Sequence, residues 1–144
     1  MSDDLGDFKR FMQQREAAAR DYVCGDATTL AALTAHSGEA TFFGPKGGAI
    51  SGAREVLSSY ERDAAIFQPR SETHFEILQL GASQGLGYWV GFQHATVQIK
   101  GQAEPIPMKL RVSEVFRREG QAWKLVHRHA DAQASEGEHR APPR

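Results

Sequence analysis

Cysteine is almost missing from this sequence, because Cys24 is the single cysteine among 144 residues. One thiol cannot form an internal disulfide, which favours a reducing compartment such as the cytoplasm. Long hydrophobic runs are missing as well, so no segment has the length of a membrane-spanning helix. The first residues are acidic and polar, which argues against a secretory signal. We therefore expect a cytoplasmic protein without a membrane partner.

An excess of charge of either sign is also lacking. The 17 lysines and arginines against 18 aspartates and glutamates give a formal net charge of -1. Domains that bind nucleic acid usually carry a strongly basic patch, because phosphate contacts dominate their affinity. We therefore expect no nucleic-acid partner.

Common signatures of cofactor binding and nucleophilic catalysis are absent. The glycines at 44, 47 and 48 form neither a G-x-G-x-x-G nor a Walker pattern between a strand and a helix. No G-x-S-x-G motif marks a serine nucleophile. We therefore expect no cofactor.

What the N-terminal half does contain is helical periodicity. Apolar residues recur every three or four positions from Leu5 to Val23, and Gly25 is expected to end this first helix. Asp3 or Asp4 is expected to cap its beginning. A second, short helix is expected to begin within 26–29. It is followed by a short strand at 40–43, a turn at 44–48 and a third helix at 53–67.

The C-terminal half alternates between apolar and polar residues, which is typical of strands. Strands are expected at 73–80, 87–99, 108–117 and 123–129, and the short connections between the last three predict antiparallel pairing. Three helices followed by such strands indicate an α+β fold, in which a strongly curved antiparallel sheet wraps around the helices and leaves a pocket at its open end. We expect one domain over 1–131 and a disordered tail over 132–144.

Three polar positions on these strands are candidates for a functional site: His94, Glu114 and Arg128. Glu114 lies between apolar neighbours, which predicts a pKa raised by desolvation and a possible acid–base pair with a histidine. The alternatives are a surface carboxylate or one that pairs structurally with Arg128. His94 has the parity of Phe92 and is expected on the same face, with a hydrogen-bonded core histidine as the alternative.

His127 and His129 project from one strand face, as two histidine ligands of a metal would. Together with His94 and Glu114 they would form a cupin-like set, but the further glutamate that cupins carry is absent. We therefore expect no metal, with these histidines on the face opposite to His94 in a packing or interface role.

Three stretches carry a family resemblance. They are the Gly25-Asp26 turn, the strand–loop–helix segment formed by 40–45 with 51–54, and the hairpin formed by 115–120 with 123–129. In this order they resemble the NTF2-like superfamily, which includes the ketosteroid isomerases and the SnoaL-like and DUF4440 proteins. The hairpin also resembles that of the calcium/calmodulin-dependent protein kinase II association domain. The resemblance spans most of residues 5–131 and implies a cone-like, cystatin-like roll.

The resemblance also implies which residues form the pocket. Its aromatic walls would be Phe42, Tyr60, Phe92 and Phe116, with polar points at His94, Glu114 and Arg128. In the family register, Val126, Arg128 and Ala130 face the pocket, whereas Trp123, Leu125, His127 and His129 face outward. Gly44 occupies the position of the steroid isomerases' aspartate base, and Ala18 that of a tyrosine, so steroid isomerase activity itself is not expected.

Two functions remain open at this point. The first is an isomerase, lyase or cyclase that acts on a small hydrophobic carbonyl compound, with His94 or Glu114 as the base and Tyr60 or Arg128 stabilising negative charge. The alternative is a non-catalytic module for binding a small acid or for assembly. Whether the protein is an enzyme is therefore left open.

The outer face of the sheet is expected to form a homodimer. Its predicted apolar residues include Val115, Trp123 and Leu125, and exposed patches of this kind usually mark an interface. Arg111 and His127 are expected near it.

Overall fold

The computed structural model describes residues 3–134, and the part of the predicted tail from 135 to 144 lies outside them. The elements are α1 (Asp4–Val23), α2 (Thr28–Leu33), β1 (Thr41–Phe43), β2 (Ala49–Ser51), α3 (Ala53–Ala64), β3 (Phe67–Ser83), β4 (Leu86–Ile99), β5 (Ile106–Glu119) and β6 (Ala122–Ala132). None of these helices is long and apolar enough to cross a membrane.

All strands join one curved, unclosed sheet in the order β2-β1-β6-β5-β4-β3. The pairs are antiparallel except β1 and β6, which run parallel. The helices lie on the inner face, so the predicted α+β fold is confirmed.

The ends of α1 follow from local chemistry. Asp3 caps the helix by accepting a hydrogen bond from the backbone N–H of Gly6 at 3.0 Å. Gly25 follows the helix with φ +100, a conformation that favours glycine. A Cβ there would also meet the carbonyl oxygen of Phe67 at 2.8 Å. Both predicted boundaries are thus confirmed.

β3 differs most from its prediction. It spans Phe67–Ser83 instead of 73–80, and it begins at the residue where α3 was predicted to end, because α3 already ends at Ala64. Pro69 and a register shift between Gln68 and Glu72 break the alternation that sequence reasoning relies on. The sheet tolerates this proline because β3 is an edge strand. β2 was missed altogether, since its three residues follow a glycine-rich turn.

A β-bulge in β6 reverses the predicted facing of that strand's first half. Val115 pairs with His127 and Phe116 with Leu125, which leaves Val126 without a partner. Trp123 and Leu125 are consequently buried in the core at 4% and 1% exposure. Their predicted outward orientation is wrong, and neither can contribute to an interface on the outer face.

The face predicted for Phe92 and His94 is also wrong. The buried positions of β4 include Trp89, Gly91 and Gln93, so the alternate residues Phe92 and His94 point outward. His127 and His129 lie on the outer face too, where both rings contact Phe43. His94 therefore shares a face with this pair instead of opposing it.

Phe116 belongs to an aromatic core at the end of the sheet away from the pocket. Its ring contacts Phe8 and Phe11 of α1 at centroid distances of 5.3 Å each, and Phe8 also contacts Trp123 at 5.2 Å. Phe116 is fully buried and does not line the pocket for which it was predicted.

Candidate functional site

A cavity of about 480 Å³ lies between α1, α3, the β1–β2 hairpin and the inner face of the sheet. Its deep end contains the side chains of Arg15, Tyr60, Gln93 and Arg128, and its rim contains Lys46, Arg62, Asp63 and Ile66. The remaining side chains are largely apolar, among them Leu30, Phe42, Ile50, Met108 and Leu110.

Three of the seven predicted site residues line this cavity. Phe42, Tyr60 and Arg128 are brought together as expected, with the Phe42 and Tyr60 rings 5.1 Å apart. Phe92 and His94 lie outside it on the outer face, and Phe116 lies in the aromatic core. Glu114 is buried directly beneath Arg128 but is not itself part of the wall.

Glu114 is surrounded by donors from three other elements. Its Oε1 accepts from Arg15 Nε at 2.9 Å and from Trp89 Nε1 at 2.8 Å. Its Oε2 accepts from Arg15 Nη2 at 2.7 Å and from Arg128 Nη1 at 2.6 Å. Trp89 and Arg128 are direct cross-strand neighbours of Glu114, so the sheet register itself sets up two of these contacts.

This environment keeps Glu114 ionised. Burial alone would raise the pKa of Glu114, but the adjacent guanidinium groups of Arg15 and Arg128 lower it to about 2. The predicted raised pKa is therefore wrong, and the alternative of structural pairing with Arg128 is what the structure contains. A carboxylate held by two arginines is a poor proton acceptor near neutral pH.

Arg128 presents the remaining charge to the cavity. Its Nη1 donates to Glu114 and its Nη2 donates to Gln93 Oε1 at 2.7 Å, which uses two of its five N–H groups. Gln93 is fixed in turn, because its Nε2 donates to Thr73 Oγ1 at 3.0 Å. Arg15 and Arg128 against Glu114 leave one net positive charge at the deep end.

Arg15 is the site residue that sequence reasoning missed. It lies on the buried stripe of α1, three residues after Met12 and three before Ala18, and its side chain is only 2% exposed. A charged residue within an otherwise apolar helical stripe was the available signal, because a buried charge requires a partner.

Two buried donors at the deep end have no acceptor. The Tyr60 hydroxyl and Arg15 Nη1 are closed off from solvent and form no hydrogen bond within residues 3–134. Burial raises the pKa of Tyr60 above its usual range, which keeps the hydroxyl protonated and able to donate. These two groups are therefore unsatisfied hydrogen-bond donors that an additional oxygen could accept from.

Asp63 is the one carboxylate among the described cavity residues. Partial burial raises the pKa of Asp63, an effect opposed by Arg62 and Lys46. It forms no ion pair or hydrogen bond through its side chain within residues 3–134, and it stands at the exposed rim. Sequence reasoning passed over it, although its position three residues after Tyr60 and seven after Val56 places it on the cavity-facing side of α3.

The histidines of the outer face are held by contacts unrelated to the cavity. His94 pairs with Glu76 at 2.8 Å and stacks on His74 at 4.7 Å between ring centroids. His127 Nδ1 and Thr41 Oγ1 lie 2.6 Å apart. Across residues 3–134 no group of three or more potential ligands is placed to hold a metal ion.

Comparison with known proteins matches the chain to one family and one fold. The family model described as a SnoaL-like domain matches residues 12–134. A search of curated proteins finds no significant match.

Solved structures match over most of the chain. An NTF2-like superfamily protein from Salmonella enterica serovar Typhimurium is 17% identical with a TM-score of 0.70, covering 85% of this chain and 87% of its own. An NTF2-like protein of unknown function from Pseudomonas putida is 19% identical with a TM-score of 0.66, covering 92% and 89%. An uncharacterized protein with a cystatin-like fold from Caulobacter vibrioides is 9% identical with a TM-score of 0.69, covering 94% of this chain and 93% of its own. At these identities the similarity establishes the fold alone.

Replacing Glu114 by glutamine should destabilise the protein by about 3–5 kcal/mol near neutral pH, because two buried arginines would lose their counter-charge. The free energy of unfolding, measured by urea titration, checks this value. The folded-state pKa of about 2 lies below that of an unfolded glutamate. The stabilisation should thus be complete above about pH 4.5 and be lost as the pH falls toward 2, so the difference between the two proteins should narrow near pH 3.

Glu76→Gln is the matched control, since Glu76 is an exposed carboxylate paired with His94 on the outer face. This variant should lower the free energy of unfolding by about 1 kcal/mol or less. Equal decreases in the free energy of unfolding of the two variants would contradict the central role of Glu114.

Proposed function

The chain belongs to the SnoaL-like domain family within the NTF2-like superfamily, and we propose that its cavity binds a small, mostly apolar acid through Arg128. The observation that carries this proposal is a partly free guanidinium at the deep end of a cavity whose walls are largely apolar. A volume of about 480 Å³ lies within the range of small-molecule sites.

The charge of the deep end favours an anion over a neutral ligand. One uncompensated positive charge remains there after Glu114 has been paired. On the rim, Lys46 and Arg62 outnumber the carboxylate of Asp63, so the rim adds one further net positive charge to the potential that an entering molecule meets. A carboxylate on an apolar body would complement both the charge and the lining of the cavity.

Binding through Arg128 does not depend on His94. His94 lies on the outer face, and Glu114 stays ionised at every pH near neutrality. Arginine also stays protonated throughout this range. Affinity for an acid that is itself fully ionised should consequently change little between about pH 6 and about pH 8.

A second candidate function is proton transfer in an isomerase, lyase or cyclase acting on a small hydrophobic carbonyl compound. Asp63 favours it, as an unpaired carboxylate on the rim with a raised pKa. In this version Asp63 takes the proton, and Tyr60 or Arg128 stabilises the developing negative charge. His94 and Glu114 no longer supply the base.

Proton exchange distinguishes the two functions. An enzyme of this type should catalyse exchange of the acidic C–H protons of a carbonyl probe such as 2-tetralone in deuterated water, followed by ¹H NMR. Asp63→Asn should reduce the exchange rate by about a hundredfold. Exchange no faster than in buffer with the wild-type protein would argue for binding alone.

We also propose that the protein is a cytoplasmic homodimer formed through the outer face of the sheet. Phe43 is 40% exposed there, and its ring contacts His127, whose cross-strand neighbour on β5 is Val115. Phe43→Lys should convert the dimer to a monomer in sedimentation velocity, because a charge would replace apolar contact area. A wild-type protein that is already monomeric at micromolar concentration would contradict the dimer.

The acid-binding proposal predicts a specific affinity pattern. Phenylacetate, cyclohexanecarboxylate and octanoate should bind more tightly than the corresponding primary amides in calorimetric titration. Arg128→Met should weaken acid binding at least about tenfold, because the charge-assisted hydrogen bonds to the ligand are lost. Arg128→Lys should retain part of the affinity.

Arg111→Met is the matched control, since Arg111 lies on the outer face and pairs with Asp131. It should bind the acids as the wild type does, and melting curves verify that each variant is folded. Equal affinity of the wild-type protein for acids and amides would refute the proposal.

A further inference from the structure

We infer that the deep end is a carboxylate subsite in which Tyr60 and Arg15 donate to one ligand oxygen while Arg128 binds the other. The acid therefore enters with its carboxylate first, and its apolar body lies toward the rim. This inference rests on the proposed acid-binding function and adds the residues, the contacts and the direction of the ligand.

The starting observation is a pair of unpaired donors on two buried residues that line the same cavity. Tyr60 and Arg15 are each 2% exposed, both line the cavity, and the hydroxyl of the first and Nη1 of the second have no partner within residues 3–134. Buried polar groups almost always find a hydrogen-bond partner. Four buried side-chain donors lack a partner within residues 3–134, and two of them, on Tyr60 and Arg15, line the cavity, where a bound ligand can supply the acceptor.

Glu114 cannot supply that acceptor. A carboxylate has about four acceptor positions. All four are occupied, two on Oε1 by Arg15 Nε and Trp89, and two on Oε2 by Arg15 Nη2 and Arg128. Gln93 Oε1 is likewise engaged by Arg128. Glu114 and Gln93, the acceptors that hold Arg15 and Arg128 in place, are thus already engaged by those donors, while Asp63, the remaining carboxylate of the cavity, lies at its exposed rim.

The charge and the donors select the same chemical group. The deep end offers one net positive charge, the Tyr60 hydroxyl, Arg15 Nη1 and the unused N–H groups of Arg128. A neutral ketone offers one oxygen and no charge, so it would leave part of this set unpaired. A carboxylate offers two oxygens and one negative charge, which satisfies both requirements.

Burial defines the direction of the ligand. Arg15, Tyr60 and Gln93 are almost fully buried, whereas Ile66 at the rim is 44% exposed. A carboxylate at the deep end places the rest of the molecule between apolar side chains and directs its far end to Ile66. Bulk added at the far end should accordingly be tolerated better than bulk beside the carboxylate.

The test uses 4-fluorophenylacetate and its neutral counterpart 4-fluorophenylacetamide, each titrated by ¹⁹F NMR against wild type, Tyr60→Phe and Tyr88→Phe. Tyr60→Phe should weaken binding of the acid about tenfold and leave the amide nearly unchanged, because one donor to an anion is lost. Tyr88→Phe is the matched control, since it removes a hydroxyl that bonds Gln79 on the outer face. It should alter neither affinity.

A second measurement on the wild-type protein tests the direction. The fluorine of bound 4-fluorophenylacetate should show ¹⁹F–¹H Overhauser effects to the methyl protons of Ile66, not to the ring protons of Tyr60. Overhauser effects to Tyr60 would overturn the orientation. If the wild-type protein binds the acid and Tyr60→Phe binds it equally well, the subsite is refuted while the acid-binding function stands. If the wild-type protein binds no acid at all, both fail.

Discussion

The burial of one carboxylate holds the open half of this fold together. Glu114 of β5 accepts hydrogen bonds from α1 through Arg15, from β4 through Trp89 and from β6 through Arg128. Removing such a charge from water costs several kcal/mol, which its partners offset only while all contacts are formed. The arrangement consequently ties the position of the first helix to the register of three strands.

The same contacts give the cavity its chemical character. Arg128 is held from beneath by Glu114 and from the side by Gln93, so its free N–H groups point from a fixed position. A group whose orientation is set before the ligand arrives loses little conformational entropy on binding. Structural pairing and ligand recognition are therefore two uses of one guanidinium.

The elements that sequence could predict are those governed by local rules. Helix periodicity, the Asp3 cap, the Gly25 terminus and the antiparallel meander depend on neighbouring residues, and the confirmed α+β fold follows from them. The site residues were harder to predict, because the alternation along a strand indicates that it has two faces but not which of them is buried. On β4 both faces carry aromatic residues, so Phe92 and His94 were assigned to the wrong one. The partner of Glu114 on α1 lies 99 positions away, beyond any local pattern.

The bulge at Val126 divides β6 into two segments that pack against different parts of the fold. Before it, Trp123 and Leu125 are constrained by the aromatic core, and after it Arg128 is constrained by the cavity. A homologous chain that lacked one residue at this point would keep every other side chain on its present face. The extra residue is what lets odd-numbered Trp123 and Leu125 and even-numbered Arg128 and Ala130 face the same inner side of one strand.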